Sequence, residues 1–192
     1  MTGSVNSPVN DHYPQVRIYL LGQFEIRFGD RILTADDWPR KKAASLMKRL
    51  AFERRVLKDQ VMEFLWPEAD LSAAANNLYK TLHVIRRTFE TAFGSQSADA
   101  IFRFEGGILT LLPDVWVDTA EFEQLAASGT GKNQKMNIEK ALDIYKNDLL
   151  PDDLYEEWTL QPREELFRLQ RSARLTLAAI HRINKDYEKA IN

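Results

Sequence analysis

The chain of 192 residues contains no cysteine. Disulfides and thiolate metal sites are therefore excluded, and a reducing cytoplasm is the expected home. No apolar run approaches the ~18 residues of a membrane-spanning helix. Histidine is scarce: His12, His83 and His181 lie far apart with no carboxylate at ligand spacing, so neither metal nor cofactor is expected. No Ser/His/Asp arrangement is legible. "GTGK" at 129–132 lacks both the spacing of a phosphate-binding loop and a strand before it. Asp152-Asp153 and Glu156-Glu157 have no nucleophile or base beside them and read as a solvated acidic turn. No enzyme is expected. The first fifteen residues have neither the basic nor the apolar region of a signal peptide and read as a flexible leader.

Apolar residues make up 44% of the chain, enough to bury a core, and its length allows one large domain or two small ones. The net charge of -2 conceals an uneven distribution. Residues 1–117 are net +1 and residues 118–192 net -3. Within the first part, residues 40–58 hold eight basic side chains against Glu53 alone. Such a block on a near-neutral protein marks a surface for polyanions, with a plain solvated helix face as the alternative.

"VRIYLLGQFEIRFGDRILT" (16–34) alternates around Gly22 and turns at Gly29-Asp30, as an antiparallel meander does. Ala43, Leu46, Met47, Leu50 and Ala51 then recur at helical spacing. A short helix with Leu57, Val61, Met62 and Leu65 follows, closed by Trp66-Pro67. Asp70 or Ser72 suits the N-cap of a third helix over 73–90. After the polar stretch "GSQSADA", "IFRFEGGILTLLP" predicts a hairpin turning at Gly106-Gly107. Beyond residue 117 only helices are expected, over 119–127, 136–146 and 162–184, with "GTGKNQ" (129–134) as a loop and Pro162 in the first turn of the last helix. "KDYEKAIN" begins another. Trp66 and Trp116 read as packing residues. Trp158 reads as an anchor between loop and helix.

The third helix carries the functional signal. At about 100° per residue, Leu78, Leu82, Ile85 and Phe89 share one narrow face. The opposite side holds Ala73, Asn76, Lys80, His83, Val84 and Arg87, flanked by Asn77, Thr81 and Arg86, with no acid before Glu90. Amides, imidazole, ammonium and guanidinium donate to base edges and phosphates. Asn suits adenine and Arg suits guanine, while Val84 can touch a thymine methyl. A short helix, a tight break and a longer helix with such a face form a helix-turn-helix, and the Gly-Gly hairpin stands where a wing would.

"RIYLLGQFEIRFGDR", "RKKAASLMKRLA", "LWPEAD", "AANNLYKTLHVIRRTF", "GGILTLLPDVWVD" and "LLPDDLYEEWTLQPREELFRL" together resemble the SARP-like bacterial transcription activators. These pair an OmpR/PhoB-type winged helix with a bacterial transcriptional activator domain (BTAD) of TPR-like helices. The resemblance runs from about Val16 to the C-terminus. It implies an α+β winged helix-turn-helix over residues 16–117, with an N-terminal antiparallel sheet and a C-terminal hairpin wing, and an all-α domain over 118–192 that ends mid-repeat. It implies double-stranded DNA in direct repeats, RNA polymerase and a second protomer as partners, and a nucleoid-associated protein.

One departure is Tyr79, where many relatives carry Arg. The expected base contacts are Asn76, Asn77, Lys80, His83, Val84 and Arg87. The expected backbone contacts are Arg40, Lys41, Lys42, Thr81, Arg86 and Arg103. Leu175, Leu177, Ile180, Ile183, Ala190 and Ile191 are the expected self-association face. The rival expectation is a helical protein-interaction scaffold whose N-terminal module binds protein.

Overall fold

The computed structural model describes residues 16–127 and 133–183. The leader, most of the 129–134 loop, the "KDYEKAIN" stretch and the interface candidates Ala190 and Ile191 lie outside the described residues.

The meander forms as expected. Strands β1 (Val16–Tyr19), β2 (Glu25–Phe28) and β3 (Arg31–Thr34) pair antiparallel, with Ile18 opposite Ile26 and Ile26 opposite Leu33. These three side chains alternate with exposed or half-buried neighbours and point into the core. Helix α1 (Lys41–Glu53) buries Ala43, Leu46, Met47, Leu50 and Ala51, the stripe read from spacing. Helix α2 (Lys58–Leu65) starts one residue later than Leu57. Leu57 belongs instead to a short strand, β4 (Arg55–Leu57), whose partner is the hairpin. Helix α3 (Leu71–Phe93) is longer than expected at both ends.

The hairpin is β5 (Phe102–Glu105) and β6 (Ile108–Leu111), and with β4 it makes a sheet of order β4-β6-β5. Gly106 and Gly107 have φ of +58° and +77°, the left-handed pair that a two-residue hairpin turn demands. A two-residue strand, β7 (Trp116–Val117), pairs parallel with β1 and extends the first sheet to β3-β2-β1-β7. Phe89 sits between the sheets. Its ring meets Trp38, Phe93 and Phe102 at 5.6, 6.0 and 6.2 Å. These rings pack about α3 within the shared apolar core.

The remaining helices are α4 (Asp118–Ala127), α5 (Gln134–Ile144) and α6 (Glu157–Ile183). Helix α6 begins five residues before Pro162, which therefore stands inside it rather than in its first turn. Trp158 on Phe52, at 6.1 Å, and Thr159, donating to the Glu156 carbonyl, anchor the earlier start.

The two halves meet along a hydrogen-bonded seam. The buried Asp118 carboxylate accepts the backbone N–H groups of Leu20, Leu21 and Thr119 at 2.8–2.9 Å. Gly22 N–H donates to the Asp148 carbonyl, and Leu150 N–H to that of Leu20. Arg163 donates to the carbonyls of Leu149 and Leu150. Lys48 reaches Asp153 at 2.6 Å. Phe122 and Leu166 are buried in the same core as Ile18 and Phe89.

Candidate nucleic-acid interface

Asp70 caps α3, its Oδ1 accepting the Ala73 N–H at 2.9 Å. From there the helix buries Leu78, Leu82, Ile85 and Phe89. Asn76, Lys80, His83 and Arg87 are exposed on successive turns of the other side, and Asn77 is half-exposed beside them. Glu90 ends the acid-free run, 3.8 Å from the Arg87 guanidinium. That pair is exposed on both sides, so it holds Arg87 only weakly.

The Asn77 side of this face opens into a concavity of about 350 Å³ lined by Arg40, Lys41, Lys42, Trp66, Asn77, Lys80 and Thr81. Four cationic side chains from two elements line it and no carboxylate does. Arg40 is also the N-cap of α1 and offers no side-chain cap, so the helix presents its positive end here.

Several expected contact residues are buried or partly engaged by other groups, and Arg103 lies on another face. Thr81 is buried, 4% exposed, on the floor of the concavity. Angular position on α3 put it on an open flank, but α1 packs along that side. Lys42 is partly committed: its ammonium donates to the Leu65 carbonyl at the end of α2 and lies 5.2 Å from the Trp66 ring. Arg86 pairs with Asp99 at 2.6 Å and covers the Phe102 ring at 5.1 Å, joining α3 to the hairpin. Val84 is half-buried. With His83, Arg87, Ile32 and Pro39 it lines a groove of about 500 Å³ between α3 and β3. Arg103 alternates with Phe102 and Phe104, which turn toward α3. Its exposed side chain therefore stands on the opposite face of the hairpin, away from the α3 group.

Two residues join the site that spacing had not singled out for it. Tyr79 is 54% exposed on α3, and its ring meets Phe104 of the hairpin edge-on at 6.0 Å. The Lys58 ammonium lies 5.8 Å from the same ring, and the Lys58 N–H donates to the carbonyl of Gly107 at the hairpin tip. The signal for Lys58 was present in the basic block of residues 40–58.

Of the self-association candidates, Leu175 and Ile183 are 70% and 77% exposed. Leu177 and Ile180 are half-buried.

Among the described residues no helix is long and apolar enough to cross a membrane. No protein-family model matches the sequence. No curated protein matches it either. Among solved structures, Mycobacterium tuberculosis EmbR in complex with a low-affinity phosphopeptide superimposes with a TM-score of 0.73 at 16% identity, over 92% of this chain. The chain spans about half of EmbR, 48% of its length. The small sheet, the helices that follow it and the helical second half thus share the fold of that protein.

Proposed function

We propose that the chain is a sequence-specific DNA-binding transcriptional regulator acting as an activator. In this reading residues 16–117 are an OmpR/PhoB-type winged helix, α3 is the recognition helix, and residues 118–192 are a BTAD-like module for protein contact. Its likeness in fold to EmbR, a SARP-family regulator, supports the reading. The observation that carries it is the acid-free concavity beside α3. Arg40, Lys41 and Lys80 converge there around the positive end of α1, next to the exposed row Asn76, Lys80, His83 and Arg87. Phosphate held in the concavity would fix the register of α3 in a major groove, and the row would read bases. Asn77 serves either role. Tyr79 and Lys58 tie the hairpin to the recognition helix and set how far the wing stands from DNA. Direct repeats, RNA polymerase and a second protomer are the partners this reading assigns.

Selection of bound sequences from random duplex DNA tests it. A single enriched motif is expected, with affinity falling as salt rises at a log–log slope of about -0.9 per phosphate neutralised. The exposed apolar side chains of α6 favour a second reading, a scaffold whose N-terminal module binds protein. No enriched motif and a nearly flat salt dependence would decide for the scaffold.

A further inference from the structure

Helix α6 and its approach carry charge unevenly. Residues 147–162 contain five acids and no base and residues 166–183 four arginines and no acid, with Arg163, Glu164 and Glu165 of both signs between them. The helix dipole rationalises Glu157 in the first turn and Arg182 in the last, but its influence fades within a turn. Asp152 precedes the helix, and Arg168, Arg171 and Arg174 lie two or more turns before its end. Neither group is explained by the helix that bears it.

Each charged end also carries uncovered apolar surface. At the acidic end, Tyr155 is 98% exposed and Leu154 55%. At the basic end, Phe167 is 47% exposed on a flank of α6 and Leu175 is 70% exposed opposite the buried Leu166 and Ala173. The Arg171 guanidinium lies 6.0 Å from the Phe167 ring. Apolar surface framed by charge of one sign marks an interaction face, and the sign selects the partner.

We propose that these two surfaces are the two halves of one interface between copies of this chain. The acidic knob around Tyr155 of one copy docks on the Phe167–Arg171–Leu175 face of the next. The inference rests on the reading that the helical half serves protein contact. About 20 Å of helix separates Glu157 from Arg171, so a chain does not bring its own knob onto its own arginines. The knob is held from beneath: Asp153 is paired with Lys48, and Trp158 is packed on Phe52. Tyr155 is thus presented on a rigid base, which lowers the entropy lost on docking. Because the two surfaces differ, the contact is heterologous. Successive copies keep one orientation and association has no closing step.

The test uses the full chain and two charge-reversed variants, Arg171→Glu/Arg174→Glu and Asp152→Lys/Glu157→Lys, with circular dichroism confirming that both fold. Sedimentation of the wild type at low salt should give species that grow with concentration beyond the dimer and dissociate as salt rises. Each variant alone should remain monomeric, because each lacks one half of the interface. Mixed in equal amounts, they should again form species beyond the dimer, because the intact knob meets the intact face and the reversed knob meets the reversed face with opposite charge. A wild type that stays monomeric overturns the proposal. So does one that closes at the dimer, variants that associate as the wild type does, or a mixture that stays monomeric. Binding of both variants to a duplex with one selected site separates the two readings. Retained DNA binding with failed complementation sinks only this interface, and complementation without DNA binding sinks only the regulator.

Discussion

Between residues 16 and 117 four large apolar side chains are exposed (Ile32, Leu57, Leu71 and Tyr79), whereas the shorter described part from 118 to 183 exposes seven. The contrast follows from architecture. In the first half, two sheets pack about α1 and α3, so most of the apolar surface finds a partner and the outer side of α3 is left mainly to polar and basic groups. In the second half, α4, α5 and α6 stack side by side, and each can bury only the face turned to its neighbour. A stacked array always ends in an uncovered face. One half therefore offers a surface suited to a polyanion, and the other a surface suited to protein. A seam of buried hydrogen bonds holds the two in fixed relation.

The strongest test of this contrast is a pair of truncations. Phe89 is fully buried among Trp38, Phe93 and Phe102, so Phe89→Ala should cost about 3–5 kcal/mol. Leu175→Ala, at a site 70% exposed, should stay within about 0.5 kcal/mol in the monomer. Urea unfolding of both variants measures the difference. Equal costs would mean that the α6 face is covered and the contrast is wrong.

The seam comes next in size. Asp118→Ala strands the buried N–H groups of Leu20 and Leu21 and should cost about 2–3 kcal/mol. If the halves are one cooperative unit, fluorescence and circular dichroism will shift together. Two separated transitions would show that the helical half unfolds independently and that the seam does not couple it to the sheet.

Contacts to DNA are comparable or smaller. Arg87→Ala should weaken binding to the selected motif by about 1–3 kcal/mol if it makes a bidentate base contact, with thermal stability unchanged. Arg40→Ala should weaken motif and random DNA alike and flatten the salt slope by about 0.9. Arg103→Ala, on the far face of the hairpin, should do less than either. Gel-shift titrations at several salt concentrations separate the three. A larger loss at Arg103 than at Arg87 would move the contact surface from α3 to the outer side of the wing.

Much of the fold was legible because single residues carried it. The stripe Leu78, Leu82, Ile85 and Phe89, the Asp70 cap and the Gly106-Gly107 turn each correspond to one local rule. Strands β4 and β7 were missed because three and two residues are too few to show alternation, and each exists only through a distant partner. The α3 face was legible as a direction but not as a surface. Helical angle placed Thr81 and Arg86 on open flanks, and only packing shows α1 against the first and Asp99 with Phe102 against the second. The outward face of Arg103 was legible: aromatics on both sides of it in the strand place its side chain on the other face. The charge polarity of α6 was in the sequence throughout, but it gained meaning only once Tyr155 and Leu175 proved to be exposed.

The smallest expected effect is a pH dependence seated at the joint. Burial raises the Asp118 carboxyl to about 6, outweighing the backbone hydrogen bonds that favour its charged form. Unfolded, an aspartate titrates near ~3.9. The folded state thus binds the proton more readily. The contribution of this group to stability is fully present below about pH 4 and is lost as pH rises through about 6. Between pH 7 and pH 5 it should add about 1 kcal/mol. Glu123, also raised by burial, acts in the same direction, so Asp118→Asn should flatten the trend without abolishing it. Thermal unfolding across this window measures both proteins. Because Asp118 belongs to α4 and its partners Leu20 and Leu21 follow β1, the gain should appear equally in signals from the sheet and from the helices. A gain confined to the helical signal, or one that survives intact in Asp118→Asn, would place the titrating group away from the joint.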